Sequence, residues 1–399
     1  MSVPAASLLS AQAVRSHCAQ IMALDERDAA PHFRLHPQQL PAAAAYVAET
    51  IRQRYPDLDV PYHSRWRHFE AGGVDRWANL AAVHQLQGAE RARTRIDLVI
   101  PSVLLDAGAG PDWSYVDSEG RELARSEGLG VASLELFASG ALSDDAGAPL
   151  RADAAALSLL SEATLARAFQ ASAGNPLVGL AGRVALLQRL GAAVAAAPDI
   201  FGTPGRVGNL YDTLAARADN GRIEASAVLE VLLQALGPVW PGRITLDGVS
   251  LGDCWRHPGV ADGLVPFHKL TQWLSYSLLE PLEEAGLTVT GLDALTGLPE
   301  YRNGGLLLDF GIITPRDPSF FDRMLTVDEP AVVEWRALTV ILLDRIAELV
   351  RTELGVSAAE FPLACILEGG TWAAGRRIAA ERRPGGGPPV SIASDGTVF

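Results

Sequence analysis

Apolar positions recur at spacings of three and four through most of the chain, so the pattern predicts helices. In PFHKLTQWLSYSLLEPL, residues 266–282, Phe267, Leu270, Leu274 and Leu278 form one face, and Lys269, Gln272 and Tyr276 form another stripe. Pro266 suits the first turn of that helix. Residues 37–55 read as an amphipathic helix leading into a basic stretch. Residues 151–172 and 176–198 are Ala/Leu-rich helices parted by Gly174-Asn175-Pro176, and the 223–236 helix ends at Gly237-Pro238. Residues 332–350 are apolar nearly all round, which predicts a central buried helix in spite of Glu334 and Arg336. Residues 95–105 mix strand-like and buried character, 106–122 read as loop, and the Gly/Pro-rich tail 382–399 as irregular. No internal repeat is found. The fold class is mainly α, with few short strands.

Length changes this picture little. The 399 residues suggest a single large unit, 1–399, with a subdivision into 1–150, which holds the basic stretch, and a helical 151–399. Hydrophobic residues at 48% and charged ones at 20% allow a sizeable core. A net charge of -14 argues against nucleic acid and anionic membrane as partners, but a local pocket for a small anion is compatible with it. Cys18, Cys254 and Cys365 are too scattered for a disulfide framework and fit a reducing compartment. The N-terminus reads as no signal peptide and no apolar run reads as a membrane span, so a cytoplasmic protein with a small-molecule partner is expected. The pattern defines no oligomeric state.

Candidate chemistry begins with PYHSRWRHFEAGGVDR, residues 61–76, where His63, Arg65, Arg67, His68 and Arg76 crowd a short span of an acidic chain. The stretch is either a solvated loop or a place where something anionic sits. Trp66 and Phe69 favour packing, and Arg65 and Arg67 have the planar fork that grips phosphate or carboxylate. His63 and His68, five apart, lack the shared helical face of a metal pair, and no metal site is assigned. The phosphate-loop, H-E-x-x-H and G-x-S-x-G patterns are absent, GAGPDW lacks dinucleotide-loop spacing, and no cofactor is expected.

Three further segments stand out. LGDCWRH, 251–257, sets Asp253 and His257 beside Trp255, where capping a turn is the plain role of the aspartate. LTGLPEYRNGGLLLDFGII, 295–313, reads as a tight turn at Pro299, Gly304 and Gly305 bearing Glu300, Tyr301, Arg302 and Asn303, as a cap cluster or as a clamp around a ligand. LEGGTWAAGR, 367–376, has paired glycines ahead of a helix start, the form of an anion-binding N-terminus. Glu334 and Arg336 inside an apolar helix cost free energy unless paired.

From VRSHC at 14–18 to the terminal SDGTVF, the chain resembles the uracil-catabolism protein family of fungi and bacteria. The blocks YPDLDVPYHSRWRHFEAGGVDR, DLVIPSVLLDAGAGPDWSY, VPFHKLTQWLSYSLLEPLE, LTGLPEYRNGGLLLDFG, EWRALTV and LEGGTWAAGR carry the resemblance. It implies a uracil breakdown route that passes through a ribosylurea-type intermediate and releases urea. Over about 250–350, LGDCW, PFHKLTQWL, PEYRNGGLLLDFGII and EWRALTV are similar to the queuosine-5'-phosphate N-glycosylase (queuosine salvage) family. That similarity implies a helical DNA-glycosylase-like fold, with the family's catalytic aspartate on Asp253, its substrate-contacting acid on Glu300, its lysine on Lys269 and its glutamine on Gln272. Leu270 and Asn303-Gly304 stand where that family has Arg and Val-Pro.

Together the resemblances imply hydrolysis of an N-ribosyl bond through an oxocarbenium-like state. Asp253 would be the carboxylate under the anomeric carbon, and Glu300, His63 or His68 the general acid. Arg65 and Arg67, with Lys269, would hold a phosphate or the ribose hydroxyls. Gln272, Tyr301, Arg302, Glu334 and Arg336 complete the expected substrate contacts. The rival expectations are an amidohydrolase cleaving the ureido C–N bond and a non-catalytic nucleotide sensor.

Overall fold

The structure, a computed structural model, describes residues 4–106, 108–240 and 244–393. Helix dominates, and no strand among the described residues exceeds three residues, so the chain is mainly α. The helix Pro330–Leu354 has Pro330 in its first turn and ends at Gly355, whose φ of 73° closes it in the left-handed region. Apolar side chains surround most of it, and it packs against Ala11–Asp25 and Leu40–Arg54. A second group pairs Lys269–Glu284 with Gly88–Leu104 and Ala225–Leu236. The helices Tyr301–Asp309 and Trp372–Arg382 pack against each other, against the first group and against the C-terminal segment. One continuous apolar cluster links these elements. No helix among the described residues is long and apolar enough to cross a membrane.

The strands form two-stranded ties between helices. Phe33–Leu35 pairs antiparallel with Ile313–Pro315, and Met324–Thr326 pairs parallel with Ser391–Ala393 in the tail that reads as irregular. Within 106–122, Ser114–Val116 pairs with Glu122–Ala124 as a hairpin. Cys254–Arg256 pairs with Leu264–Pro266, so Pro266 ends a strand and the helix begins only at Lys269.

Two other segments differ from their sequence reading. Residues 95–105 belong to the helix Gly88–Leu104. Its β-branched Ile96, Val99, Ile100 and Val103 look strand-like, and burial from Thr94 to Leu104 removes the polar stripe that would show a helical period. Gly304 and Gly305 lie inside the Tyr301–Asp309 helix and form no turn; Glu300 caps that helix. The 151–172 segment breaks into Ala154–Ser158 and Glu162–Ala168, the second capped by Ser161.

Candidate functional site

A cavity of about 350 Å³ opens where several of these ends converge. The segment before and through the short helix Trp66–Phe69 contributes His63 and His68. Asp106 follows the end of Gly88–Leu104, and Glu127 lies in the first turn of Arg125–Ala138. Lys269 and Trp273 come from one helix start, Glu300, Tyr301 and Arg302 from another, and Trp372 and Arg376 from the C-terminal helix. Of the residues picked from sequence, His63, His68, Lys269, Glu300, Tyr301 and Arg302 line this one space.

The two histidines and two tryptophans enclose its floor. His63 lies 6.3 Å from the Trp273 ring and 5.7 Å from Trp372, and His68 lies 5.9 Å from Trp273. His63 Nδ1 donates to Glu368 Oε2 at 2.7 Å, which leaves Nε2 as the ring nitrogen available to the cavity. Burial opposes the Glu368 charge, but His63 and neighbouring cations outweigh it and hold the pKa below the ordinary carboxyl value. His68 is buried, with Nδ1 lacking a protein partner. Burial and then the Arg65 charge lower its pKa to about 4, so the ring is neutral at neutral pH. Trp273 Nε1 also lacks a partner.

Glu368 escaped the sequence reading. The residues read as glycines before a helix start lie in a π-helical stretch, Ile366–Thr371, that continues into Trp372–Arg382. There is no free N-terminus there to bind an anion. The wider turn, a device common at functional positions, carries Glu368 to His63 while Trp372 lines the cavity.

Glu300 is fixed by its own helix: Oε2 accepts from Arg302 N at 2.7 Å and Oε1 from Asn303 N at 2.6 Å. Burial raises its pKa, against those two N–H groups and the Lys269 charge. Burial lowers the Lys269 pKa, against the Glu300 charge. Tyr301 is pushed up to about 12 by burial and by Glu300.

Asp253 does not line the cavity. Its oxygens receive Arg336 Nη1 and Nη2 at 2.8 Å each, Trp255 Nε1 at 2.6 Å and Lys269 N at 3.0 Å. It ties the Cys254–Pro266 hairpin and the long central helix to the start of Lys269–Glu284. A carboxylate whose lone pairs are all engaged behind the wall cannot lie under an anomeric carbon, so that expectation is corrected. Burial raises its pKa, but the Arg336 charge prevails and holds it well below the carboxylate range.

The expectation for Arg65 and Arg67 is also corrected. Arg65 is fully buried and gives Nε to Ser102 at 2.7 Å and Nη1 to Asp106 at 2.6 Å, so it positions Asp106. Arg67 reaches Glu280 at 2.6 Å, and Arg76 reaches Asp117 at 2.6 Å. Gln272 is buried on Thr296 and Phe267, outside the cavity. Arg336 belongs to Asp253, and Glu334 accepts the backbone N–H groups of His32 and Phe33 at 3.1 and 2.9 Å, so neither is a substrate contact.

His32, His257 and Glu334 bring ligand-type atoms within 4.8 Å of one another, the only such triad among the described residues. The residues do not fit a metal as they are held. His257 Nδ1 accepts Gly259 N–H at 3.0 Å, which puts the neutral ring's proton on Nε2, the atom 3.4 Å from Glu334 Oε2.

Residues 7–399 match the family model described as "Protein of unknown function (DUF1688)". Two curated proteins are similar over nearly their whole length. "Uracil catabolism protein 4" of Lachancea kluyveri is 39% identical, with 92% of this chain and 92% of that protein covered. "Protein urg3" of Schizosaccharomyces pombe is 38% identical, with 99% and 98% covered.

Proposed function

The chain belongs to the DUF1688 family, and from that premise we propose that it acts in uracil catabolism by hydrolysing the N-ribosyl bond of a ureido riboside in the cavity above. One observation carries the reading: His63, backed by Glu368, lines the same cavity as Glu300, a carboxylate that burial leaves poorly solvated.

The chemistry follows from what each step needs. Urea leaves poorly as an anion, so the ureido nitrogen requires a proton as its bond to C1′ breaks. His63 supplies it from Nε2, because the ionised Glu368 on Nδ1 stabilises the imidazolium. The sugar develops positive charge at C1′ and its ring oxygen. Glu300, clamped by two backbone N–H groups and short of solvent, gains most from a cation arriving beside it. The role that the resemblance implied for Asp253 therefore passes to Glu300. Water then attacks C1′, and His63 takes back a proton.

The test is to incubate the purified protein with N-ribosylurea and its 5′-phosphate, uridine and UMP, and to assay urea, uracil, ammonia and the sugar. Intact urea with ribose or ribose phosphate is expected. Ammonia and carbon dioxide without urea would instead mean an amidohydrolase. Tight binding without turnover would mean a sensor.

A further inference from the structure

Arg125, Arg302 and Arg376 line one side of the same cavity, from segments far apart in the chain. Among the described residues, Glu127 is the one carboxylate that salt-bridges any of them, reaching Arg376 at 2.7 Å. Arg302 is only 9% exposed and donates to the neutral carbonyl of Gly386 at 2.8 Å. Arg125 reaches the carbonyl of Gly385 at 3.4 Å. Burial lowers the Arg302 pKa; Tyr301 and Glu300 oppose that, and Arg125 and Arg376 are close enough to add to the lowering.

The backbone is specialised to hold this cluster. Gly385 and Gly386 have φ of 73° and 62°, values that favour glycine, and they turn their carbonyls to the arginines. At Gly375 a Cβ would strike the Arg302 carbonyl, so its absence lets the Trp372–Arg382 helix approach and bring Arg376 alongside. Arg125 itself has φ of 55°, a costly conformation for a side-chain-bearing residue. Like charges assembled at such cost, with two of the three in no salt bridge among the described residues and Glu300 already held by two backbone N–H groups, call for a multiply charged anion. Planar guanidinium forks match phosphate oxygens in particular.

We infer that the ligand of this cavity carries a phosphate monoester, gripped by Arg125, Arg302 and Arg376. This deepens the glycosidase reading and rests on it only for the identity of the sugar that bears the phosphate. The riboside would enter phosphorylated, and the product would leave as a sugar phosphate.

Calorimetric titration with ribose 5-phosphate, inorganic phosphate and ribose tests the site without needing turnover. Ribose 5-phosphate should bind well above ribose, and each of Arg125→Met, Arg302→Met and Arg376→Met should weaken it roughly tenfold or more. Inorganic phosphate binding as tightly as the sugar phosphate would reassign the site to the free ion and overturn the phosphorylated riboside. Arg125 is exposed, so its variant keeps the test valid if Arg302→Met unfolds. Ribose 5-phosphate binding no better than ribose, or binding unchanged in all three variants, would overturn the inference. Urea release equal from N-ribosylurea and its 5′-phosphate would overturn it while leaving the hydrolase standing. Arginine-dependent binding of ribose 5-phosphate, tighter than inorganic phosphate, with no urea release from either riboside would support it and sink the hydrolase.

Discussion

Replacing Asp253 separates two roles that the sequence alone could not. Wild-type Asp253 accepts four hydrogen bonds, two of them charge-assisted from Arg336. Asn at 253 keeps one acceptor oxygen and turns an NH₂ toward donors. Arg336, only 1% exposed and 4.1 Å from the Phe267 ring centroid, is left with no counter-charge from residue 253. Breaking a buried pair from one side costs roughly 3–5 kcal/mol. Asp253→Asn should therefore lower the free energy of unfolding, read from guanidinium denaturation, by that amount at pH 7. Arg336→Met should cost a similar amount, and the double variant less than the sum, because each single change already breaks the same pair.

The same pair predicts a pH signature. The folded pKa of Asp253 lies below its unfolded value. Its stabilisation is therefore present above the unfolded carboxyl value, about 4, and is lost as pH falls below that. The gap between wild type and Asp253→Asn should be widest near neutrality and close toward strong acid. Unfolding of the variant at the wild-type midpoint, with urea release abolished, would refute the structural assignment and restore Asp253 as a reacting group.

Three further predictions need shorter statement. Glu368→Gln removes the anion behind His63 and should cut urea release by roughly 10²–10⁴-fold, with a shifted pH–rate profile and an unchanged circular dichroism spectrum; an unaltered rate would remove His63 as the acid. His68 has a folded pKa lowered to about 4, so wild-type stability should fall as pH drops from the ordinary histidine value toward 4, and His68→Gln should flatten that limb of the unfolding curve. Asp25 is 4% exposed, both oxygens lack partners, and burial followed by Glu334 lifts its pKa to about 8. Its ionisation disfavours the folded state increasingly as pH rises from about 4, so Asp25→Asn should raise the free energy of unfolding at pH 8 by roughly 1–2 kcal/mol and hardly at all at pH 4.

Much of the helical framework could be read from sequence because one-faced helices announce their period: 40–54, 225–236 and 269–284 lie close to where the apolar spacing puts them. The helix at 88–104 could not, since its stretch from Thr94 to Leu104 is buried on every side and has no exposed polar stripe. Paired glycines misled twice for one reason. At 304–305 and 369–370 they sit inside helices, and sequence alone does not distinguish a glycine that bends the chain from one in a straight segment.

The cationic stretch at 61–76 shows where local reading of a site ends. Composition revealed that the charges were unusual, yet their meaning depended on partners that folding brings from 37 to 305 residues away. Arg65, Arg67 and Arg76 each met a carboxylate of this acidic chain and became internal ties. His63 met Glu368 and stayed open to the cavity. The arginines proposed to face the ligand lie instead at 125, 302 and 376, in three separate segments of the chain. An arginine beside many acids is most stable paired, so a dense basic run in a protein of net charge -14 is a poor place to seek an anion site. Cations left facing neutral glycine carbonyls are the better sign, and they become visible only once the chain is folded.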